Sequence, residues 1–389
     1  MQPFAEALRE LGLDREIAIL PVTSGYPSPK QVNLVLRRVG GLTFLFEASA
    51  AKPDIVAEME AELDRHGVSR LDALLVTHCH GDHAGSAGVL AARSRPAGER
   101  APIYTTSVGY RFLTHPEAAF LQETYEIFLA RSQFGFLDYS TLRADDLHEH
   151  PIRKLFARYF ARTPKRDLRF VDQGQIPDGI VAVPTPGHSN DCVLYHDPAL
   201  GIAVPGDTIL CTGAPGKPET HGFVVPIFTV AGQTYSMAFE GYLLTIRRLR
   251  RYFRAHNVRA ILPPHGKFAI TEPMAWVRFA EGYFGNLFRA FREDFLGDAQ
   301  KAWKTSPFRA CDLSPYLPSA GSHPISTPSH VFGMLCSLAD EGWLELSEHP
   351  KTRQISFRLL ELPPSDHMAR RLDEDPGPIP VYRTGRPLS

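Results

Sequence analysis

The chain has 389 residues, of which 42 are lysine or arginine and 43 are aspartate or glutamate, so its formal net charge is -1. This length is enough for one large catalytic domain plus a smaller one, and 43% hydrophobic with 22% charged residues excludes a disordered or fibrous chain. The balanced charge creates no overall field that would draw the protein onto nucleic acid or an anionic membrane, so any such binding has to be local.

The first part of the chain predicts strands, then a helix, then a buried strand. Residues 17–22 and 32–39 are apolar stretches separated by a loop containing glycine and proline, and residues 42–46 form a third stretch. Residues 52–66 have apolar side chains at helical spacing. The short apolar run 71–77 is typical of a buried strand and leads directly into the segment THCHGDHAG.

An aromatic segment of mostly helical period interrupts this pattern at about residues 110–165, and we expect it to form a cap over a pocket. Strand-like runs follow at 181–187, 192–196 and 201–206, each bounded by proline or glycine turns, and a later one lies at 260–264. We place a catalytic domain at 1–285 and a smaller domain at 286–389.

The beginning of the chain and its cysteines bear on the compartment. The opening MQPFAEALRE has no apolar stretch behind a basic flank, and the sequence contains no run of about 18 apolar residues. We therefore expect a cytoplasmic protein without a membrane segment. Five cysteines, never in C-x-x-C spacing, argue against disulfides and against cysteine-ligated zinc.

A cluster of histidines carries the strongest functional signal. Three histidines and an aspartate fall within six residues directly after the predicted buried strand, and three further histidine or aspartate residues lie where later strands run into TPGHS, VPGDT and LPPHG turns. Imidazole and carboxylate groups are ligands of zinc, iron and manganese, and side chains at strand ends can converge at one sheet edge. The candidate metal ligands are His78, His80, Asp82, His83, His188, Asp207 and His265.

On these residues the sequence resembles the metallo-β-lactamase superfamily, over about residues 17–268. The resemblance implies an αββα sandwich with the site at one edge. It assigns His78, His80 and His188 to a first metal site and Asp82, His83 and His265 to a second, with Asp207 as the bridge. In the family, an aspartate that braces the metal loop usually follows the strand before the first helix; here LFEAS places Glu47 there.

The bridging position also separates branches of the family. True β-lactamases lack a carboxylate there, whereas Asp207 is present, as in the glyoxalase II, lactonase and ribonuclease Z branches. The resemblance therefore implies two divalent cations, most simply zinc, with iron or manganese as alternatives. A hydroxide shared by the two cations would be the nucleophile, and Asp82 would orient it and pass a proton.

The C-terminal part resembles a branch that carries a winged helix. Residues 330–359 predict a helix followed by a strand, a turn and a strand, the end of a winged-helix-like α+β unit. No lysine or arginine occurs between Cys311 and Pro350, although a helix that faces phosphates should be basic. We therefore expect this module to pack on the rest of the chain or to form a homodimer, rather than to bind nucleic acid.

The basic stretch 153–166 allows two interpretations. Its cations, interleaved with aromatic residues, could hold RNA, a coenzyme A phosphate or an acidic helix of a carrier protein. Alternatively it is an amphipathic helix that buries Leu155, Phe156, Tyr159 and Phe160 on one face.

These observations predict a dinuclear metal hydrolase that cleaves an ester or thioester of a small acyl substrate. The alternatives are an endoribonuclease or phosphodiesterase, a sulfur dioxygenase with a single iron on the same scaffold, and a winged-helix regulator with a vestigial metal fold.

Overall fold

The computed structural model describes residues 1–26, 30–93, 99–116, 119, 158–212, 220–222, 235–299, 306–316, 326–350, 355–384 and 386–388. Most of the predicted cap segment, residues 117–118 and 120–157, lies outside these residues. In the segment that follows Asp207, residues 213–219 and 223–234 also lie outside the described part.

The first part of the described chain contains all six strands of one mixed sheet and helices that pack on it. In chain order its elements are β1 (Gln2–Pro3), α1 (Phe4–Glu10), β2 (Ile17–Thr23), β3 (Gln31–Val39), β4 (Leu42–Phe46), α2 (Pro53–Arg65), β5 (Ala73–Leu75), α3 (Gly81–Ala84), α4 (Ala87–Leu90), β6 (Ile103–Thr105), α5 (Tyr110–Thr114) and β7 (Leu168–Phe170).

The second part adds another sheet and longer helices. Its elements are β8 (Val181–Pro184), β9 (Val193–Asp197), β10 (Ile202–Val204), β11 (Leu210–Thr212), β12 (Thr220–Gly222), α6 (Tyr235–Ala255), β13 (Ala260–Ile261), β14 (Phe268–Ala269), α7 (Pro273–Arg289), α8 (Leu296–Ala299), α9 (Ser326–Asp340), β15 (Leu344–Glu348), β16 (Ile355–Leu359), α10 (His367–Asp373), β17 (Val381–Arg383) and β18 (Arg386–Leu388). A π-helical turn, Ala290–Phe295, joins α7 to α8.

Within the described residues, two six-stranded sheets pack face to face. The first has the order β2-β3-β4-β5-β6-β7, antiparallel up to β4 and parallel from there on. The second has the order β13-β10-β9-β8-β17-β18. A buried ion pair between Arg37 of β3 and Asp197 of β9 connects the two sheets.

Alternating side chains along each strand build the layers. On β3, Leu34 and Leu36 belong to the core under α2, while Val35 points into the core between the sheets. On β9, Val193 and Tyr195 share that inter-sheet core, and Leu194 faces α6 and α7 on the other side. The layers are therefore helix, sheet, sheet and helix, and the expected αββα sandwich is confirmed.

The structure differs from the predicted helix over the basic stretch. Residues 158–164 form a turn and irregular chain, followed by a 3-10 turn at Lys165–Asp167, and residues 151–157 lie outside the described part. The backbone bonds here go to other segments, since Ala51 N–H donates to the Tyr159 carbonyl and Ala161 N–H to the Gly85 carbonyl. Tyr159 and Phe160 are buried, as predicted, but by these loop contacts and not as one face of a helix.

The C-terminal elements pack on the same core as α6 and α7. Val331, Leu335 and Leu338 of α9 lie in one hydrophobic cluster with Leu249 of α6. Helix α7 runs without a break through residue 285. The domain boundary after residue 285 and the winged-helix assignment both stay predictions. None of the helices that the structure describes is long and apolar enough to cross a membrane.

Candidate metal centre

The candidate ligands lie where strands of both sheets end. His78 and His80 follow β5, and His188 follows β8. Asp207 lies in a 3-10 turn after β10, and His265 follows β13. The seven residues were identified separately along the sequence, and the structure brings all of them together in two adjacent groups.

The first group is a triangle of imidazole nitrogens. His78 Nε2 lies 3.0 Å from His80 Nδ1, and His188 Nε2 lies 3.1 Å and 2.8 Å from these two atoms. In a neutral imidazole each nitrogen is either an N–H donor or a lone-pair acceptor. At least one of the three nitrogen pairs therefore joins two donors or two acceptors and cannot be a hydrogen bond. Ligand atoms around tetrahedral zinc, at about 2.0–2.1 Å from it, are about 3.3 Å apart, so the triangle fits one cation.

The second group combines imidazoles with carboxylates. His265 Nε2 lies 3.4 Å from Asp82 Oδ2 and 3.4 Å from Asp207 Oδ1, and His83 Nε2 lies 3.3 Å from the same Asp207 oxygen. These distances are long for hydrogen bonds. Among the described residues, Asp207 Oδ1 and the Nε2 atoms of His83 and His265 are buried and have no hydrogen-bond partner, which is costly unless a cation binds there.

Asp207 belongs to both groups. Its Oδ1 faces His83 and His265, whereas its Oδ2 lies 3.6 Å from His188 Nε2 in the first group. The side chains of Asp82 and Asp207 are about a tenth exposed, while His83 is fully buried. The carboxylates and the partly exposed His80 therefore lie on the open side of the cluster, and the four buried imidazoles form its floor.

Neighbouring groups orient the imidazoles. The His265 Nδ1–H donates to the Gln31 carbonyl at 2.6 Å, which leaves Nε2 with a lone pair toward the cluster. His78 Nδ1 lies 3.1 Å from the Thr77 hydroxyl oxygen, and that hydroxyl donates to Glu47 Oε1 at 2.5 Å.

Glu47 is buried and contacts both groups. Besides Thr77, its Oε1 lies 3.4 Å from His83 Nδ1. The residue has φ +70° and is the one non-glycine position with positive φ among the described residues, a conformation that costs about 1–2 kcal/mol. Glu47 therefore contacts the metal loop from the position where the family usually has an aspartate.

Electrostatics distinguishes the two groups. Burial, together with neighbouring imidazoles, lowers the pKa of His78 well below its usual range and lowers the pKa of His80 to about 3. Burial also opposes the charged form of His83, but the carboxylates of Asp207, Asp82 and Glu47 outweigh it and raise the pKa. The first group thus consists of neutral imidazoles, and a cation entering the second group would displace protons.

Two glycines allow the loops to approach one another. Gly206 has φ +56°, and a β-carbon there would lie 2.4 Å from the Thr77 hydroxyl oxygen. Gly266 has φ +110°, and its β-carbon would lie 1.6 Å from the Cys211 carbonyl oxygen. Both turns therefore require glycine to place Asp207 and His265.

Two supporting residues were not identified as part of the site from the sequence. Asp191 is buried and accepts a 2.7 Å hydrogen bond from the Cys79 N–H, between two candidate ligands. Asn33 donates to the carbonyls of Pro263 and Gly266, at 3.3 Å and 2.8 Å, and so holds the turn that carries His265. A polar residue inside an apolar strand, as in VNLVL, is the signal that indicates such a role.

An αββα sandwich with a histidine and aspartate cluster at its edge defines a class of metal-dependent hydrolase. The sequence model of the metallo-beta-lactamase superfamily matches residues 29–235, more than half of the chain. The chain belongs to this superfamily, and the predicted recognition and enzyme class are confirmed.

Solved structures show the same fold. A metallo-beta-lactamase family protein from Thermus thermophilus is 20% identical with a TM-score of 0.58, covering 89% of this chain and 99% of that one. A beta-lactamase domain protein from Burkholderia ambifaria is 18% identical with a TM-score of 0.57, covering 89% and 93%. No curated protein shows a significant sequence match to the chain.

Proposed function

We propose that the protein is a dinuclear hydrolase that binds two divalent cations, zinc in the first instance, and cleaves an ester or thioester of a small acyl substrate. One observation carries the dinuclear part of the proposal: the two carboxylate oxygens of Asp207 face different groups of side chains. This arrangement allows one carboxylate to bridge two cations.

The ligand assignment follows from the distances. His78, His80 and His188 would hold the first cation, and Asp82, His83 and His265 the second, with Asp207 shared. Nitrogen-rich ligation with no cysteine in either group is suited to zinc, and also to iron or manganese. When bound, the two cations would lower the pKa of a shared water toward neutrality and polarise the scissile carbonyl.

The side chains of the site have distinct tasks in this proposal. Asp82, on the open side of the cluster, would orient the attacking water and accept its proton at a carboxylate oxygen. The buried imidazoles would exclude bulk water from the floor. Glu47 and Thr77 would keep the lone pair of His78 Nε2 directed at the cation.

An uncharged acyl substrate agrees with two features of the chain. The net charge of -1 produces no field that would collect a polyanion. Beside the metal loop, the partly exposed Tyr26 stacks in parallel on the buried Tyr159, with ring centroids 4.5 Å apart, and the Tyr26 ring is suited to contact an acyl chain or an aromatic leaving group.

Metal analysis combined with a substrate panel tests the proposal. We expect about two metal ions per chain and turnover of esters or thioesters, and we expect His80→Ala to lose one ion and to fall at least about 10³-fold in kcat/KM. The exposed His349, changed to alanine, is the matched control and should behave like wild type. Turnover of phosphodiesters but of no ester or thioester would contradict the assignment of an acyl substrate. Consumption of oxygen with a persulfide substrate, by protein that binds a single iron, would contradict it as well.

A further inference from the structure

Tyr26, which follows β2, places a hydroxyl beside the metal loop. The Tyr26 hydroxyl oxygen lies against Gly81, the residue directly before Asp82. A β-carbon at Gly81 would lie only 2.8 Å from that oxygen. A neutral phenol has one O–H to donate, so a hydrogen-bond donor lies against the residue that precedes a proposed ligand.

Several contacts fix this hydroxyl in position. The ring of Tyr26 stacks on Tyr159 with an interplanar angle of 3°, and the Tyr26 N–H donates to Ser24 Oγ at 3.1 Å. The Tyr159 hydroxyl and Lys52 Nζ both donate to the Gly25 carbonyl, at 3.0 Å each. The entropy of ordering the ring is therefore already lost on folding, and not on substrate binding.

The electrostatic environment keeps the phenol neutral. Burial and the nearby carboxylate of Asp82 raise the pKa of Tyr26 well above its usual value. A neutral phenol is a hydrogen-bond donor and not a base at working pH. Tyr26 as a whole residue is partly exposed, so a bound molecule can contact it.

We propose that Tyr26 is a catalytic residue whose hydroxyl donates a hydrogen bond to the leaving-group atom of the substrate on the Asp82 side of the site. This inference rests on the proposed hydrolase function and adds a residue to it. The proton stays on the tyrosine, and the bond strengthens as negative charge develops on the departing oxygen or sulfur. That atom then takes up the proton that Asp82 accepted from the attacking water. A hydrogen bond to a charged group corresponds to a rate effect of about 10- to 100-fold.

Tyr26→Phe tests the inference because it removes one oxygen and keeps the stacked ring. We expect kcat to fall about 10- to 100-fold for esters with basic alkyl leaving groups, and much less for nitrophenyl esters, whose leaving group needs little stabilisation. Tyr159→Phe is the matched control, because it removes the other hydroxyl of the same stack, which bonds to Gly25. It should leave the dependence on the leaving group unchanged.

A binding measurement decides the point without turnover. Calorimetry of the zinc-loaded protein with phenylphosphonate, whose oxyanion would accept the Tyr26 bond, should show about tenfold weaker binding for Tyr26→Phe and no change for Tyr159→Phe. Equal affinity for wild type and Tyr26→Phe, equal losses in both variants, or loss of metal from Tyr26→Phe alone would overturn the inference. If wild type hydrolyses no acyl substrate, the proposed function fails, and phosphonate binding still decides the role of Tyr26.

Discussion

Replacing Glu47 by glutamine should weaken both metal-binding steps. Every contact of this carboxylate comes from a donor: the Thr77 hydroxyl at 2.5 Å, the Thr77 N–H at 3.4 Å and His83 Nδ1 at 3.4 Å. A glutamine of the same size loses the charge and must turn its NH₂ group toward one of these donors.

The expected magnitude follows from the role of such outer partners. Loss of a group that orients a metal-ligating histidine weakens metal binding about 10- to 100-fold, or about 1.4–2.7 kcal/mol. Because Glu47 serves His83 directly and His78 through Thr77, both dissociation constants should rise. Thr77→Val removes the acceptor for His78 and one donor to Glu47, but it keeps the Glu47 carboxylate beside His83, so it should raise one constant and leave the other within about threefold.

Competition with a chromogenic zinc chelator measures the two constants. Thermal unfolding of the metal-free variants controls for folding, since Glu47 is fully buried. Wild-type affinity at both sites in Glu47→Gln, or loss of both sites in Thr77→Val, would refute the reasoning that one carboxylate orients two groups of ligands.

Three further outcomes are expected. Gly266→Ala should cost about 3 kcal/mol or more and leave one metal ion per chain, because its β-carbon would lie 1.6 Å from a carbonyl oxygen at φ +110°; calorimetric melting with metal analysis checks it, and a wild-type melting temperature would contradict it. Asn33→Leu should release the turn before Gly266 and weaken one metal step about tenfold, measured by chelator competition; unchanged affinity would contradict the role assigned to Asn33. Burial lowers the pKa of His330 to about 3, so below pH 6.5 the unfolded chain binds a proton that the folded chain does not, and stability should fall by about 2 kcal/mol between pH 6.5 and 5. Urea unfolding should show that this part of the loss disappears in His330→Gln, and an unchanged slope would contradict it.

Much of the fold could be predicted because the signals are local. The alternation in β3 and β9 places successive side chains on opposite faces, and the predicted strands at 32–39, 42–46 and 192–196 agree with the structure to within a residue or two. The helical period in 153–166 was misleading for its described part. There, backbone bonds to Ala51 and Gly85 replace helical ones, and no local pattern contains those partners.

The amino-acid sequence alone determined the chemistry available to this protein: five histidines and two aspartates at strand ends, with glycine and proline turns that present them. Tertiary structure decided which atoms meet. The two oxygens of Asp207 face different groups, Glu47 lies beside His83, and the Tyr26 hydroxyl lies against Gly81. These contacts join segments that are distant in the chain, and they depend on how the two sheets pack against each other. Residue type sets which bonds a side chain can make, and packing sets which of them form.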